Sequence, residues 1–190
     1  LGTTEWTLAN GVKVVVKPTT YKADEVRMSA VAKGGLSILS DEEFYMGEMM
    51  PAFNSMSGVG KFSATDLKKQ LSGKSASVQP SVENYASAVN GYCSPKDLET
   101  MMQLRFDQND YNTLMKMLRS QLDNVKSNPD YLMEEKFIDV AYGNNPRRQM
   151  ISTEIIDKFS FEALPAIYKK LYPDANSFVF KFVGNVDLET

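Results

Sequence analysis

Trp6-Thr7-Leu8-Ala9-Asn10-Gly11-Val12-Lys13-Val14-Val15-Val16 places two apolar, β-rich stretches on either side of Asn10-Gly11. Asn-Gly is the pair that best tolerates positive φ at both centres of a type I′ turn, so this stretch predicts a β-hairpin. Working outward, Pro18-Thr19-Thr20 ends the second strand. Glu25 to Lys33 then sets Val26, Met28, Ala30 and Ala32 on one side of a third strand, which Gly34-Gly35 breaks. Ser40-Asp41-Glu42-Glu43 has the spacing of a capping box, and Phe44, Met46, Met49, Met50 and Phe53 follow at helical intervals. Pro51 has no N–H for the carbonyl of Gly47, so that helix should kink or stop there.

Further along, Thr65 to Leu71 reads as a short helix, and Gly73 to Pro80 and Glu83 to Cys93 as a second hairpin turning tightly at Pro80-Ser81. Ser94-Pro95-Lys96-Asp97 opens another helix, with Pro at the position where a missing N–H costs nothing. Asp107 opens a long one, in which Tyr111, Leu114, Met115, Leu118, Leu122 and Val125 recur at three and four residues. Asn128-Pro129 starts the next, carrying Leu132, Met133, Phe137, Ile138 and Ala141. Ser160 to Leu171 is a last helix, and Ser177 to Val183 a closing strand. Strands cluster instead of alternating singly with helices. That pattern predicts an α+β fold, a largely antiparallel sheet with helices packed on one face, as a single domain over residues 1–190.

The composition fits this. The chain has 190 residues, 43% hydrophobic and 24% charged, with net charge −3. A length near that of one average domain buries enough surface to fold without a cross-link or a metal. The balance of charge argues against a nucleic-acid groove, and no apolar run reaches the ~20 residues of a membrane span. One cysteine allows no internal disulfide, and the chain has no histidine. That absence removes His-ligated metals, Ser-His and Cys-His nucleophile pairs, and most acid–base schemes near neutral pH.

What chemistry remains is sparse. Asp41, Glu42, Glu43 and Glu48, and separately Glu134, Glu135 and Asp139, are oxygen-rich clusters that would suit Ca²⁺ or Mg²⁺, but neither has calcium-loop spacing. Acidic residues in first helical turns complement the helix dipole, and that is the better reading. Cys93 would need a helix N-terminus or Lys96 to activate its thiol; a packed strand-end cysteine is the simpler account. Gly58-Val59-Gly60-Lys61 and Gly73-Lys74-Ser75 are fragments of a phosphate loop without its full spacing. Arg147-Arg148 could hold a carboxylate or a phosphate, though adjacent loop arginines are usually solvated. The eleven methionines, among them Met46, Met49, Met50 and Met56, could line a peptide surface but read better as core filler. No residue is assigned a catalytic, metal-binding or cofactor-binding role.

Several segments, in order along the chain, resemble the pitrilysin/insulinase-type zinc peptidases, the family of mitochondrial processing peptidase. They are Leu8-Ala9-Asn10-Gly11-Val12-Lys13-Val14, Ala32-Lys33-Gly34-Gly35, Asp66-Leu67, Leu71-Ser72-Gly73-Lys74, Ser77-Val78, Pro95-Lys96-Asp97-Leu98-Glu99, Tyr142-Gly143-Asn144-Asn145-Pro146 and Phe182-Val183-Gly184-Asn185-Val186-Asp187. The resemblance implies one of four α+β units that close as two halves around a peptide. In the active unit an H-x-x-E-H helix and a downstream Glu hold zinc, and the motif Glu activates water. The corresponding helix here, Glu43 to Asn54, has no His in any register.

The resemblance therefore implies a noncatalytic unit opening the second half of a zinc peptidase, part of a chamber for peptide or unfolded polypeptide, with zinc supplied by another domain of the same parent. A structural subunit of the same fold with no peptidase partner is the alternative, and an enzyme working through carboxylates and Ca²⁺ or Mg²⁺ a third reading. The chain, starting at Leu1-Gly2-Thr3-Thr4, reads as a fragment of a longer protein, exported on the family's pattern, and free of its partners it would tend to self-associate. Between Leu104 and Arg105 the family usually has several more residues.

Overall fold

The computed structural model describes residues 2–57, 76–93 and 106–186. Six strands, β1 (Thr4–Thr7), β2 (Lys13–Pro18), β3 (Val26–Lys33), β4 (Ala76–Val82), β5 (Ala86–Cys93) and β6 (Phe178–Gly184), form one sheet in the order β1-β2-β6-β3-β5-β4. Every neighbouring pair is antiparallel except β2 and β6, which run parallel. The helices are α1 (Phe44–Glu48), α2 (Met50–Ser57), α3 (Gln108–Val125), α4 (Pro129–Tyr142), α5 (Thr153–Ile156) and α6 (Leu164–Leu171). The α+β architecture with a largely antiparallel sheet is the one the sequence predicts.

Strand β3 shows how the sheet is anchored. Val26, Met28, Ala30 and Ala32 are buried, while Arg27 and Lys33 between and beside them are exposed. Register places Ala30 between Val89 and Phe180, and Met28 between Gly91 and Phe182, so the buried face continues across three strands. Leu36, Met46, Met50, Phe53, Leu114, Met115, Ile156, Leu164, Ile167 and Leu171 cover it from the helical side. Burying one such large side chain contributes about 1.5–3 kcal/mol, so this layer holds the fold without a cross-link.

Two turn expectations are corrected. The first hairpin forms, but not through a two-residue turn: Gly11 N–H donates to the Leu8 carbonyl (2.8 Å) and Leu8 N–H to the Val12 carbonyl (2.9 Å). Gly11 alone takes positive φ, at 84°, while the Asn10 side chain accepts from Val12 N–H (3.2 Å). A turn followed by a left-handed glycine is the common three-residue alternative, and the Asn10 amide favours it by satisfying the next N–H. The second hairpin turns at Glu83-Asn84-Tyr85, not at Pro80-Ser81, since Glu83 N–H donates to the Ala86 carbonyl (2.8 Å). Pro80 lies inside β4 opposite Val89. It is tolerated because β4 is an edge strand, where one side of the ladder needs no donor.

The capping residues act as their spacing suggests. Ser40 N–H donates to Glu43 (3.1 Å) and Glu43 N–H to Ser40 Oγ (3.4 Å). Asp107 accepts from Asn109 and Asp110 N–H at the head of α3, and Asn128 from Asp130 N–H at the head of α4. Pro51 divides the predicted helix into α1 and α2: Met49 N–H still reaches the Tyr45 carbonyl (3.0 Å), and Ala52 N–H then bonds to Met49 itself (3.0 Å). The short helix at 65–71, the helix start at Ser94-Pro95 and the junction at Leu104-Arg105 lie outside the described residues.

Candidate functional site

The helix that the resemblance pairs with the zinc motif, Glu43 to Asn54, is divided in the structure into α1 and α2. Only one register of H-x-x-E-H sets a carboxylate in the motif's Glu position. It places Glu48 there, with Tyr45 and Met49 where the two imidazoles would be.

The side chains at the two imidazole positions are committed to packing. Tyr45 is buried, and its hydroxyl donates to the Gln149 carbonyl (2.9 Å) and accepts from Gln149 N–H (2.8 Å). Burial pushes its phenol above the ordinary tyrosine range, so it stays neutral. Met49 is half-buried against the core. Between them, Gly47 packs against the side-chain ends of Leu39, Leu36 and Leu171, and a Cβ there would require Leu39 to shift. Glu48 remains reached by solvent, and desolvation by the atoms around it pushes its carboxyl above the usual range.

The other acidic candidates are spread apart. Glu43 receives two hydrogen bonds from Lys170 Nζ, at 2.6 and 2.8 Å, and Asp41 pairs with Arg147. Asp139 reaches Lys136 at 3.8 Å on the exposed surface of α4. Among the described residues, no three His, Cys, Asp or Glu side chains come together where they could hold a metal ion. Residues Tyr45, Met46, Gly47, Glu48 and Met49 therefore do not fit a zinc centre: one carboxylate stands where three protein ligands are needed.

Arg147 is not a free anion site. Its Nη2 donates to the Leu39 carbonyl (2.6 Å), its Nε to Asp41, and its guanidinium lies 5.4 Å from the centre of the Phe44 ring. It clamps the loop after α4 onto the start of α1. Arg148 lies over Tyr142 at 5.6 Å. Met46 and Met50 are fully buried and Met49 and Met56 pack against the same core, so these four are filler. Cys93 ends β5, its backbone opposite Val26. Gly58 to Lys61 and Gly73 to Ser75 lie outside the described residues.

The Glu43–Lys170 pair gives a first prediction. The Lys170 ammonium, hydrogen-bonded to Glu43, holds that carboxyl below its usual range, and the Ser40 N–H adds to the effect. A carboxylate depressed in the folded state stabilises above its unfolded value of about 4.3, and that stability is lost as pH falls through the folded value. Because Lys170 is about half exposed, Glu43→Gln should cost only about 0.5–1 kcal/mol at pH 7. Urea unfolding midpoints of the two proteins should differ at pH 7 and converge near pH 3; an equal gap at both would remove the pair's role.

Neither a family profile nor a curated protein matches the sequence. Solved structures do. The periplasmic protease PqqL from Escherichia coli superposes with a TM-score of 0.83 at 18% identity, over 99% of this chain and 22% of its own. The ferredoxin protease FusC, solved with Arabidopsis ferredoxin, gives 0.79 at 16% identity, over 99% and 21%. A peptidase M16 inactive domain from Pseudomonas fluorescens gives 0.74 at 15%, over 100% and 48%. This chain has the fold of an M16-type, pitrilysin-like peptidase unit. It spans about a fifth of the first two structures and about half of the third.

Proposed function

We infer that residues 1–190 are one noncatalytic α+β unit from the C-terminal half of a pitrilysin-type zinc peptidase. The unit forms part of the wall of a chamber that encloses peptide substrate, and zinc and its ligands come from another unit of the same parent. One observation carries this reading. The helix that the resemblance pairs with the family's motif has no His, and the register that puts Glu48 at the motif's Glu sets Tyr45 and Met49 at both imidazole positions. A thioether is a poor zinc ligand, and the Tyr45 hydroxyl is already bonded at both its donor and its acceptor side. The likeness to a domain described as inactive supports the same reading.

Elemental analysis of the purified chain, with peptide hydrolysis measured with and without a chelator, tests it. Zinc far below one atom per chain and no chelator-sensitive hydrolysis are expected; stoichiometric zinc would overturn the assignment. The same measurements on the parent protein separate the chamber role from a purely structural one. A zinc-loaded, active parent supports the chamber, whereas a zinc-free, inactive parent leaves a structural subunit.

A further inference from the structure

The helices that build the core lie on one side of the sheet, against Ala30, Ala32 and Phe178. Alternation along the strands sends the intervening residues to the opposite side. There the register sets Lys13 and Lys17 of β2, Lys181 of β6, and Arg27 and Lys33 of β3 on a common face, and all five are exposed. Among the described strand residues, only one carboxylate, Glu5 of β1, shares that face. The chain carries a net charge of −3, so this face is opposite in sign to the protein as a whole. Lys181 stands opposite Val15, offset by two residues from Lys13 and Lys17 on one neighbouring strand and from Arg27 on the other. Strand spacing and rise put each of those three Cα atoms about 8 Å from that of Lys181, within the ~10 Å Debye length at 0.1 M salt. Arg27 is paired with Glu25 (2.7 Å). Among the described residues, Lys13, Lys17, Lys33 and Lys181 form no ion pair.

Like charges set side by side on a sheet repel one another, and a field of one sign without counter-charges draws a partner of the other sign. Between the cations lie half-buried Val15, Val31 and Val179 and exposed Val183. Fixed cations interleaved with apolar side chains match a polypeptide in which acidic and apolar residues are mixed. A nucleic acid, charged at every residue, would leave the valines without partners. We propose that this open face of the sheet, with Lys181 at its centre, binds acidic segments of polypeptide. Under the chamber reading, on which the proposal rests for its purpose, that polypeptide is the substrate, and this unit's part of the wall retains its acidic stretches.

Fluorescence anisotropy on the parent protein, with a chelator present so that nothing is cleaved, tests this. The probes are a short labelled peptide of Glu, Ser and Val and its counterpart with Lys in place of Glu. The Glu peptide should bind more tightly than the Lys peptide and lose affinity as salt rises. Lys181→Glu should weaken its binding about tenfold, and Lys17→Glu should act in the same direction. Lys116→Glu makes the same change in net charge at an exposed position of α3 and should leave the affinity unchanged. All three side chains are exposed, so each variant should keep the melting temperature of the unaltered protein. Equal affinities in Lys181→Glu and Lys116→Glu would overturn the proposal, as would equal binding of the two peptides. So would a single-stranded oligonucleotide that binds more tightly than the Glu peptide and is lost in Lys181→Glu, which would assign the face to nucleic acid. Zinc content does not enter this readout. A zinc-free, inactive parent that still binds the Glu peptide through Lys181 would remove the chamber reading and leave the binding face in place.

Discussion

Gly35→Ala is expected to cost about 3–5 kcal/mol, adding the penalty of a non-glycine left-handed residue to that of a steric overlap. Gly35 has φ of 58°, and a Cβ there would run into the Glu83 carbonyl oxygen and sit 2.5 Å from Ala86 N. Neither atom can move away. Leu36 N–H donates to that same Glu83 carbonyl (2.9 Å), and Gly34 and Ser37 N–H donate to the Tyr85 and Asn84 carbonyls (2.9 and 2.8 Å). These bonds join the turn after β3 to the β4–β5 hairpin, so the overlap would separate two parts of the sheet. Gly143→Ala is the internal control: its φ is 59° and nothing lies within 4 Å of its added Cβ. It should lose only about 1 kcal/mol, the conformational part alone. For a chain of this length each kcal/mol lowers the melting temperature by roughly 2–4 °C. Equal melting temperatures for the two variants would show that the close approach at Gly35 is absent.

Phe53→Ala is expected to cost about 3–5 kcal/mol, the range for deleting a buried aromatic side chain. Phe53 is 2% exposed and stacks on Tyr111 with ring centres 5.5 Å apart and planes 22° from parallel. Tyr111 in turn meets Phe161 edge-on at 5.6 Å. Through these rings α2 is fastened to α3 and to the segment leading into α6, and Ser57 Oγ adds a bond from Asp107 N–H (3.3 Å) at the far end of α2. A double-mutant cycle of Phe53→Ala with Tyr111→Leu, read by urea unfolding, should give a coupling of about 0.5–1.5 kcal/mol. A coupling near zero would mean that the stacked geometry adds nothing beyond buried area.

The segment from Phe44 to Ser57 is a packing element, broken between α1 and α2 ahead of Pro51 and filled by Met46, Met50 and Phe53. Around it are apolar contacts, a Tyr45 hydroxyl bonded to backbone, and a single carboxylate at Glu48.

The capping residues Ser40, Asp107 and Asn128, the helix break at Pro51 and the buried alternation from Val26 to Ala32 were legible in the sequence. Each depends on residues within a few positions of one another, so backbone geometry alone decides it. The absence of histidine was legible too, and composition by itself restricts the chemistry to what the other side chains can do. Hairpin turns were less so: Asn10-Gly11 and Pro80-Ser81 are turn-forming pairs, but where the strands pair and which edge is exposed determine how such pairs are used. Only the tertiary structure set β6 between β2 and β3, brought Arg147 onto Leu39, Asp41 and Phe44, joined Lys170 to Glu43, and turned Met133, Phe137 and Val140 outward. These arrangements link residues far apart in the chain, or depend on which side of an element meets the core. Such choices are made by the burial of the whole apolar surface at once, a sum that no short stretch of residues contains.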